Sequence, residues 1–152
     1  MQKFEFVQFV PASLDVVWDF FSSPANLSKI TPPAMGFVIT SPLRSGMYPG
    51  MFITYKVSPL PGFRLNWVTE ITQVNEKVFF IDEQRSGPYS IWHHEHHFKA
   101  VEGGVEMHDI LYYKVPLGFL GKIADLLIVK NRVKQIFAYR EMQILKLFPV
   151  KS

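Results

Sequence analysis

The chain has 152 residues, 48% hydrophobic and 19% charged, which excludes disorder and suits one domain with a substantial core. Its net charge of +3 comes from Lys and Arg scattered along the chain, so no basic patch of the kind that grips nucleic acid is expected. There is no cysteine, no apolar run long enough to cross a bilayer and no signal-peptide pattern at Met1–Glu5, so the expectation is a soluble cytoplasmic domain over residues 1–152 without integral membrane contact.

Lys3–Val10 alternates as a strand, with Phe4 and Phe6 on one face and Val7 and Phe9 on the other. Ser13 is a good N-cap for a helix in which Leu14, Val17, Trp18 and Phe21 fall on one face. Ser23-Pro24 opens a second short helix, and Pro32-Pro33 stops it. A period of two follows, predicting strands at Gly36–Ser41, Met51–Ser58, Arg64–Val74, Val78–Arg85, Tyr89–Ala100 and Val105–Val115. Turn chemistry separates them at Pro49-Gly50, Pro61-Gly62, Asn75-Glu76, Gly87-Pro88 and Gly103-Gly104. Pro116-Leu117-Gly118 then introduces one amphipathic helix to about Leu147, with Val129, Val133, Ile136, Phe137, Ile144 and Phe148 toward the sheet.

This order predicts an α+β helix-grip fold: a curved antiparallel sheet of about seven strands wrapped on a long C-terminal helix, with two short helices after strand 1. One helix cannot fill the hollow of such a sheet, so an internal cavity is expected.

The segment from Tyr89 to Ala100 places Trp92, His94, His96 and Phe98 on its apolar face and His93, Glu95, His97 and Lys99 on the polar one. A two-residue turn at Glu102-Gly103 sets Val101 opposite Gly104, Phe98 opposite Met107, His96 opposite Asp109 and Trp92 opposite Tyr113. In that register the inward sets of both strands coincide, with His94 one pleat, roughly 7 Å, from His96. The same reasoning at Asn75-Glu76 pairs Val74 with Lys77, Ile71 with Phe80, Thr69 with Asp82 and Trp67 with Gln84. Asp82 and Gln84 then share the inner face.

These segments resemble the START/SRPBCC superfamily (Bet v 1-like), in particular small bacterial ligand-binding, polyketide cyclase-like SRPBCC domains. The resemblance rests on Pro11-Ala12 through Val17-Trp18-Asp19-Phe20, Ile30-Thr31-Pro32-Pro33, and Gly87-Pro88-Tyr89 followed by Trp92, His94, His96 and Phe98. It continues through Gly103-Gly104, Asp109, Tyr113 and Pro116 to Ile136-Phe137-Ala138-Tyr139-Arg140. It implies the helix-grip fold and a cavity between sheet and last helix, but no single activity. Lipid carriers, hormone receptors, cyclases, oxygenase domains and chaperone-binding modules share that architecture.

The leading expectation is non-catalytic binding or carriage of a hydrophobic molecule such as a lipid, fatty acid or polyketide. The ligand-facing residues are expected to be Tyr55, Trp67, Asp82, Gln84, Trp92, His94, His96, Met107, Asp109 and Tyr113. The alternatives are a cyclase or dehydratase using His96 as base with Asp109 as its orienter, and a protein-interaction module. His94, His96 and Asp109 read equally as a hydrogen-bond cluster holding strand register. No metal or other cofactor is expected, because a metal needs three or four converging ligands and no motif demands one. His93, Glu95 and His97 read as a solvated face. Arg140 reads as a helix-edge cation whose stem packs on the apolar stripe. Residues 116–121 read as a gate over the cavity, and Leu120–Val129 as buried on both sides or as the interface of a homodimer; the chain is expected to be a monomer or a homodimer.

Overall fold

The computed structural model describes residues 1–42, 46–60 and 62–150. Seven strands form one curved antiparallel sheet: β1 (Gln2–Val10), β2 (Val38–Ile39), β3 (Met51–Leu60), β4 (Phe63–Asn75), β5 (Phe79–Ser86), β6 (Ile91–Val101) and β7 (Gly104–Lys114). Their order is β1-β7-β6-β5-β4-β3-β2, so β2 to β7 run as a meander and β1 closes the far edge beside β7. Between β1 and β2 lie α1 (Leu14–Phe21) and the 3-10 turns Pro24–Ile30 and Pro33–Met35. The Ser13 side chain caps α1 by accepting from the Val16 N–H, as its position before the apolar face requires.

A helix of 30 residues ends the chain. It comprises α2 (Gly118–Ala124), a π turn over Asp125–Val129, and α3 (Lys130–Leu147). The glycine at 121 is required by close packing: a Cβ there would collide with the carbonyl oxygen of Pro116. Asp125, in the π turn, is buried and accepts a hydrogen bond of 2.7 Å from the Tyr113 hydroxyl of β7, which ties the wide turn to the sheet.

The helix buries Val133, Phe137 and Ile144 against the sheet. Phe137 stacks on Phe6 of β1 with ring centroids 4.0 Å apart, and with Val133 packs on Leu111 and Tyr113 of β7. Ile144 joins a second cluster, where Trp18 of α1 meets Phe80 and Phe98 edge-on. At roughly 1.5–3 kcal/mol for each fully buried large apolar side chain, these contacts outweigh the intrinsic propensity of a single helix. They bind the helix chiefly to the β1-β7-β6 side. Across the hollow, β3 and β4 present Ile53, Tyr55, Trp67 and Ile71 to open space.

The β6–β7 register is the expected one throughout, from Val101 opposite Gly104 to Ile91 opposite Lys114. Two other expectations are corrected. The strand predicted at Gly36–Ser41 is only Val38–Ile39, preceded by a 3-10 turn that ends in left-handed Gly36. The β4–β5 turn is not centred on Asn75-Glu76: Asn75 pairs with Phe79 across a loop of Glu76, Lys77 and Val78, and Lys77 takes the left-handed conformation. The pairing therefore slides, and an irregularity at Thr72 brings Ile71 opposite Asp82 and Thr69 opposite Gln84. The loop's odd count turns the faces over, and the bulge turns them back. Asp82 thereby stays on the inner face despite the changed partners. Of the turn expected at Pro61-Gly62, Pro61 lies outside the described residues.

The stretch Leu120–Val129 is not buried on both sides. Leu120, Leu126 and Leu127 are 68%, 70% and 67% exposed.

Candidate functional site

A cavity of about 180 Å³ lies between the sheet, the Pro24–Ile30 turn and α3. Its walls are mainly aromatic and aliphatic: Phe37, Tyr55, Trp67, Phe80, Tyr89 and Trp92 surround it with Ile30, Met35 and Ile53. Trp67 meets Trp92 at right angles with centroids 5.3 Å apart and stacks on Tyr55 at 5.8 Å, so the lining is locked ring against ring. The Trp67 indole donates to the Thr69 hydroxyl at 3.1 Å, and the Tyr55 and Thr69 hydroxyls are 2.9 Å apart. The polar tips of Tyr55 and Trp67 are thus both spent on Thr69.

Between Phe80, stacked on His96, and Trp92, edge-on to His94, the lining turns ionic. Asp82 of β5, His94 and His96 of β6 and Asp109 of β7 stand side by side on adjacent strands. His94, His96 and Asp109 are 4%, 5% and 6% exposed. His96 Nε2 lies 2.9 Å from Asp82 Oδ2, and its Nδ1 lies 2.7 Å from Asp109 Oδ1 at an angle too bent for a good hydrogen bond. His94 Nε2 lies 3.1 Å from the same Asp109 oxygen, and its Nδ1 lies 3.5 Å from Asp82 Oδ2. Each imidazole is held between the two carboxylates.

Arg140 of α3 completes the cluster. Its side chain is 13% exposed, its Nη1 approaches Asp109 Oδ1 at 3.8 Å, and its guanidinium lies over the Phe137 ring. That Nη1 is buried without a hydrogen-bond partner among the described residues. The residue is therefore no helix-edge cation: its side chain turns inward and lines the cavity.

Burial opposes charge on all four strand residues, and the neighbours decide each outcome. For Asp109, the charge of His96 and the hydrogen bond from His94 outweigh burial and hold its carboxyl well below the usual range. For Asp82, the hydrogen bond with His96 and the nearby imidazoles do the same more weakly. His96 gains more from the Asp109 charge than burial takes away, so its imidazole is pushed up; His94 is pushed down, first by burial and then by the charge of His96. Those directions favour two carboxylates, a protonated His96 beside the Arg140 guanidinium and a neutral His94, whose charges would balance.

Of the residues expected at the site, Tyr55, Trp67, Asp82, Trp92, His94 and His96 line the cavity. Asp109 stands behind the two imidazoles. Met107 packs instead with Trp18, Phe21 and Phe98 in the core under α1. Tyr113 is buried against α3 with its hydroxyl spent on Asp125. Gln84 clamps the Gly87-Pro88 loop, donating to the Tyr89 carbonyl at 2.6 Å and accepting from the Tyr89 N–H at 3.2 Å. No residue of 116–121 lines the cavity, which leaves the expected gate without contact there. On the outer face His93 pairs with Glu83 and His97 with Glu95, all partly solvated as expected. Asp125 was missed; its signal is a lone acid within an apolar helical stretch.

No protein-family model matches the chain, and no curated protein does so by sequence. Solved structures do match in fold. Protein CV1439 from Chromobacterium violaceum superposes with a TM-score of 0.74 at 12% identity, covering 99% of this chain and 100% of its own. Protein Ms6760 from Mycobacterium smegmatis gives 0.69 at 17% identity, with 95% and 89% covered. Ara h 8.0201, a Bet v 1 homologue, gives 0.60 at 15% identity, with 95% and 98% covered. The chain thus has the Bet v 1-like helix-grip fold. Among its described residues, no helix is long and apolar enough to cross a membrane.

Proposed function

We propose that the chain binds and carries a compact hydrophobic molecule whose one polar end meets Asp82, His94, His96 and Arg140. The observation that carries this reading is the meeting, in one largely aromatic cavity, of the clustered polar side chains Asp82, His94, His96 and Arg140. Size narrows the class. An apolar cavity of ~150 Å³ holds one benzene ring, and the about 180 Å³ here favours a small ring system or short chain over a long acyl tail. Arg140 favours a carbonyl, phenolate or carboxylate at the inner end, as in aromatic polyketides or short fatty acids.

The test is displacement of an environment-sensitive apolar dye by a panel of such compounds, with native mass spectrometry for stoichiometry. One compound bound per chain, with quenching of Trp67 and Trp92 emission, is expected. Arg140→Met should weaken ligands bearing the oxygen group and spare their hydrocarbon analogues. Failure of every compound to displace the dye or alter tryptophan emission would refute carriage. Recovery of a bound compound chemically altered would replace carriage by catalysis.

A further inference from the structure

We infer that Asp82, His94 and His96 form a binding site for one divalent first-row transition ion, with Asp109 as its outer support. The site goes beyond the carriage proposed above and does not depend on an organic ligand being present.

The donors converge. One ligand atom from each of Asp82, His94 and His96 lies within 4.8 Å of the others. Zinc-type bonds of about 2.0–2.2 Å place neighbouring donors roughly 3.0–3.5 Å apart. Asp82 Oδ2 is 3.5 Å from His94 Nδ1 and 2.9 Å from His96 Nε2, close to that spacing. The remaining nitrogen of each ring, His94 Nε2 and His96 Nδ1, faces the same Asp109 oxygen at 3.1 and 2.7 Å. A single carboxylate thus stands behind both imidazoles, hydrogen-bonded to His94 and in ion-pair contact with His96, while their front nitrogens face Asp82, where an ion would displace the proton His96 shares with it. This is the carboxylate–histidine support that metal-binding imidazoles generally require. Arg140 Nη1 lies 3.8 Å from the same Asp109 oxygen.

Two imidazoles and one carboxylate favour zinc or iron(II) over magnesium or calcium, which prefer oxygen donors. Asp82, His94 and His96 also line the cavity, so an ion there would leave positions open for a ligand oxygen. Asp82, kept inward by the β4–β5 bulge, joins the two histidines as the third donor.

The experiment treats the full chain with a chelator, removes the chelator and titrates with cobalt(II) chloride. One equivalent should bind, with visible d–d bands and two shifted, exchangeable imidazole N–H proton signals. Asp82→Asn should change the band pattern, while Asp109→Asn should weaken affinity about 10–100-fold with the bands retained. Substituting the outer pair, His93→Ala with His97→Ala, should leave the equivalent intact. The shifted signals are read in the unaltered chain, so the proposal stays testable if a variant fails to fold. Absence of a bound equivalent, or its loss with the outer pair and survival in His94→Ala, overturns the site; neither result bears on apolar ligand binding.

Discussion

Removing the Asp109 carboxylate tests the ionic wall most directly. In Asp109→Ala, Arg140 keeps its charge while its counter-ion, 3.8 Å away, disappears, and His96 loses the carboxylate, 2.7 Å away, that pushes its imidazole up. The His94 Nε2 also loses its partner at 3.1 Å. Breaking a buried ion pair from one side costs about 3–5 kcal/mol, because the surviving charge stays in low dielectric unmatched. A domain stable by ~5–15 kcal/mol loses roughly a fifth or more of its stability this way. At roughly 2–4 °C per kcal/mol for a chain of this size, melting should fall by about 6–20 °C. Urea unfolding followed by tryptophan emission, with chelator present, gives the value at unchanged slope. Asp109→Ala and His96→Ala should couple by about 1–3 kcal/mol in a double-mutant cycle. A loss below about 1 kcal/mol, or additivity in the cycle, would show that these groups do not interact as drawn.

The acid limb of stability should carry the same signature. The folded carboxyls of Asp82 and Asp109 lie below the ordinary value of 3.8, so their stabilisation is full above that pH and is lost as pH falls through the lower folded values. The unfolding free energy of the metal-free chain should therefore drop more steeply below about pH 4 than that of Asp109→Asn; parallel curves would contradict it. Tyr113→Phe should cost about 1.5–3 kcal/mol in urea unfolding, because Asp125 is left buried without its donor. Gly121→Ala improves helix propensity yet should destabilise by about 1–3 kcal/mol, since the new methyl meets the Pro116 carbonyl, and a higher melting temperature would refute that packing. Leu120→Gln with Leu127→Gln should change stability by less than about 0.5 kcal/mol per site, both side chains being mostly exposed; a large loss would reveal a covering surface, such as a second copy of the chain.

The β6–β7 hairpin was legible because a two-residue turn, with Gly103 supplying the left-handed conformation, joins strands that alternate without interruption. Nothing local offers a competing register. The β4–β5 hairpin was less legible, since Lys77 in a left-handed turn and the irregularity at Thr72 have no clear signal in residue type. Asp82 was still assigned to the right face because the two departures cancel in parity. Alternation also says only which side of the sheet a residue faces. It cannot divide that side between core and cavity, which is why Met107 and Tyr113, though inward, lie under α1 and α3. Arg140 was hidden for a related reason: a cation beside an apolar stripe ordinarily snorkels outward, and only the hollow behind α3 lets this one turn inward.

Fold stability alone is a poor reason for the ionic wall. Apolar side chains of similar volume would hold three adjacent strands at least as well, since desolvating such groups consumes most of what their mutual attraction returns. The sheet already has its register from the β6–β7 turn and its grip from Phe137 and Ile144. Asp82, His94, His96 and Arg140 instead line one largely apolar hollow, with Asp109 behind the imidazoles; the donor atoms of the first three converge, and Arg140 Nη1 has no hydrogen-bond partner among the described residues. A cluster of that kind costs least when something polar enters to meet it. The cavity's chemistry is therefore better accounted for by an occupant, organic or ionic, than by the needs of the fold.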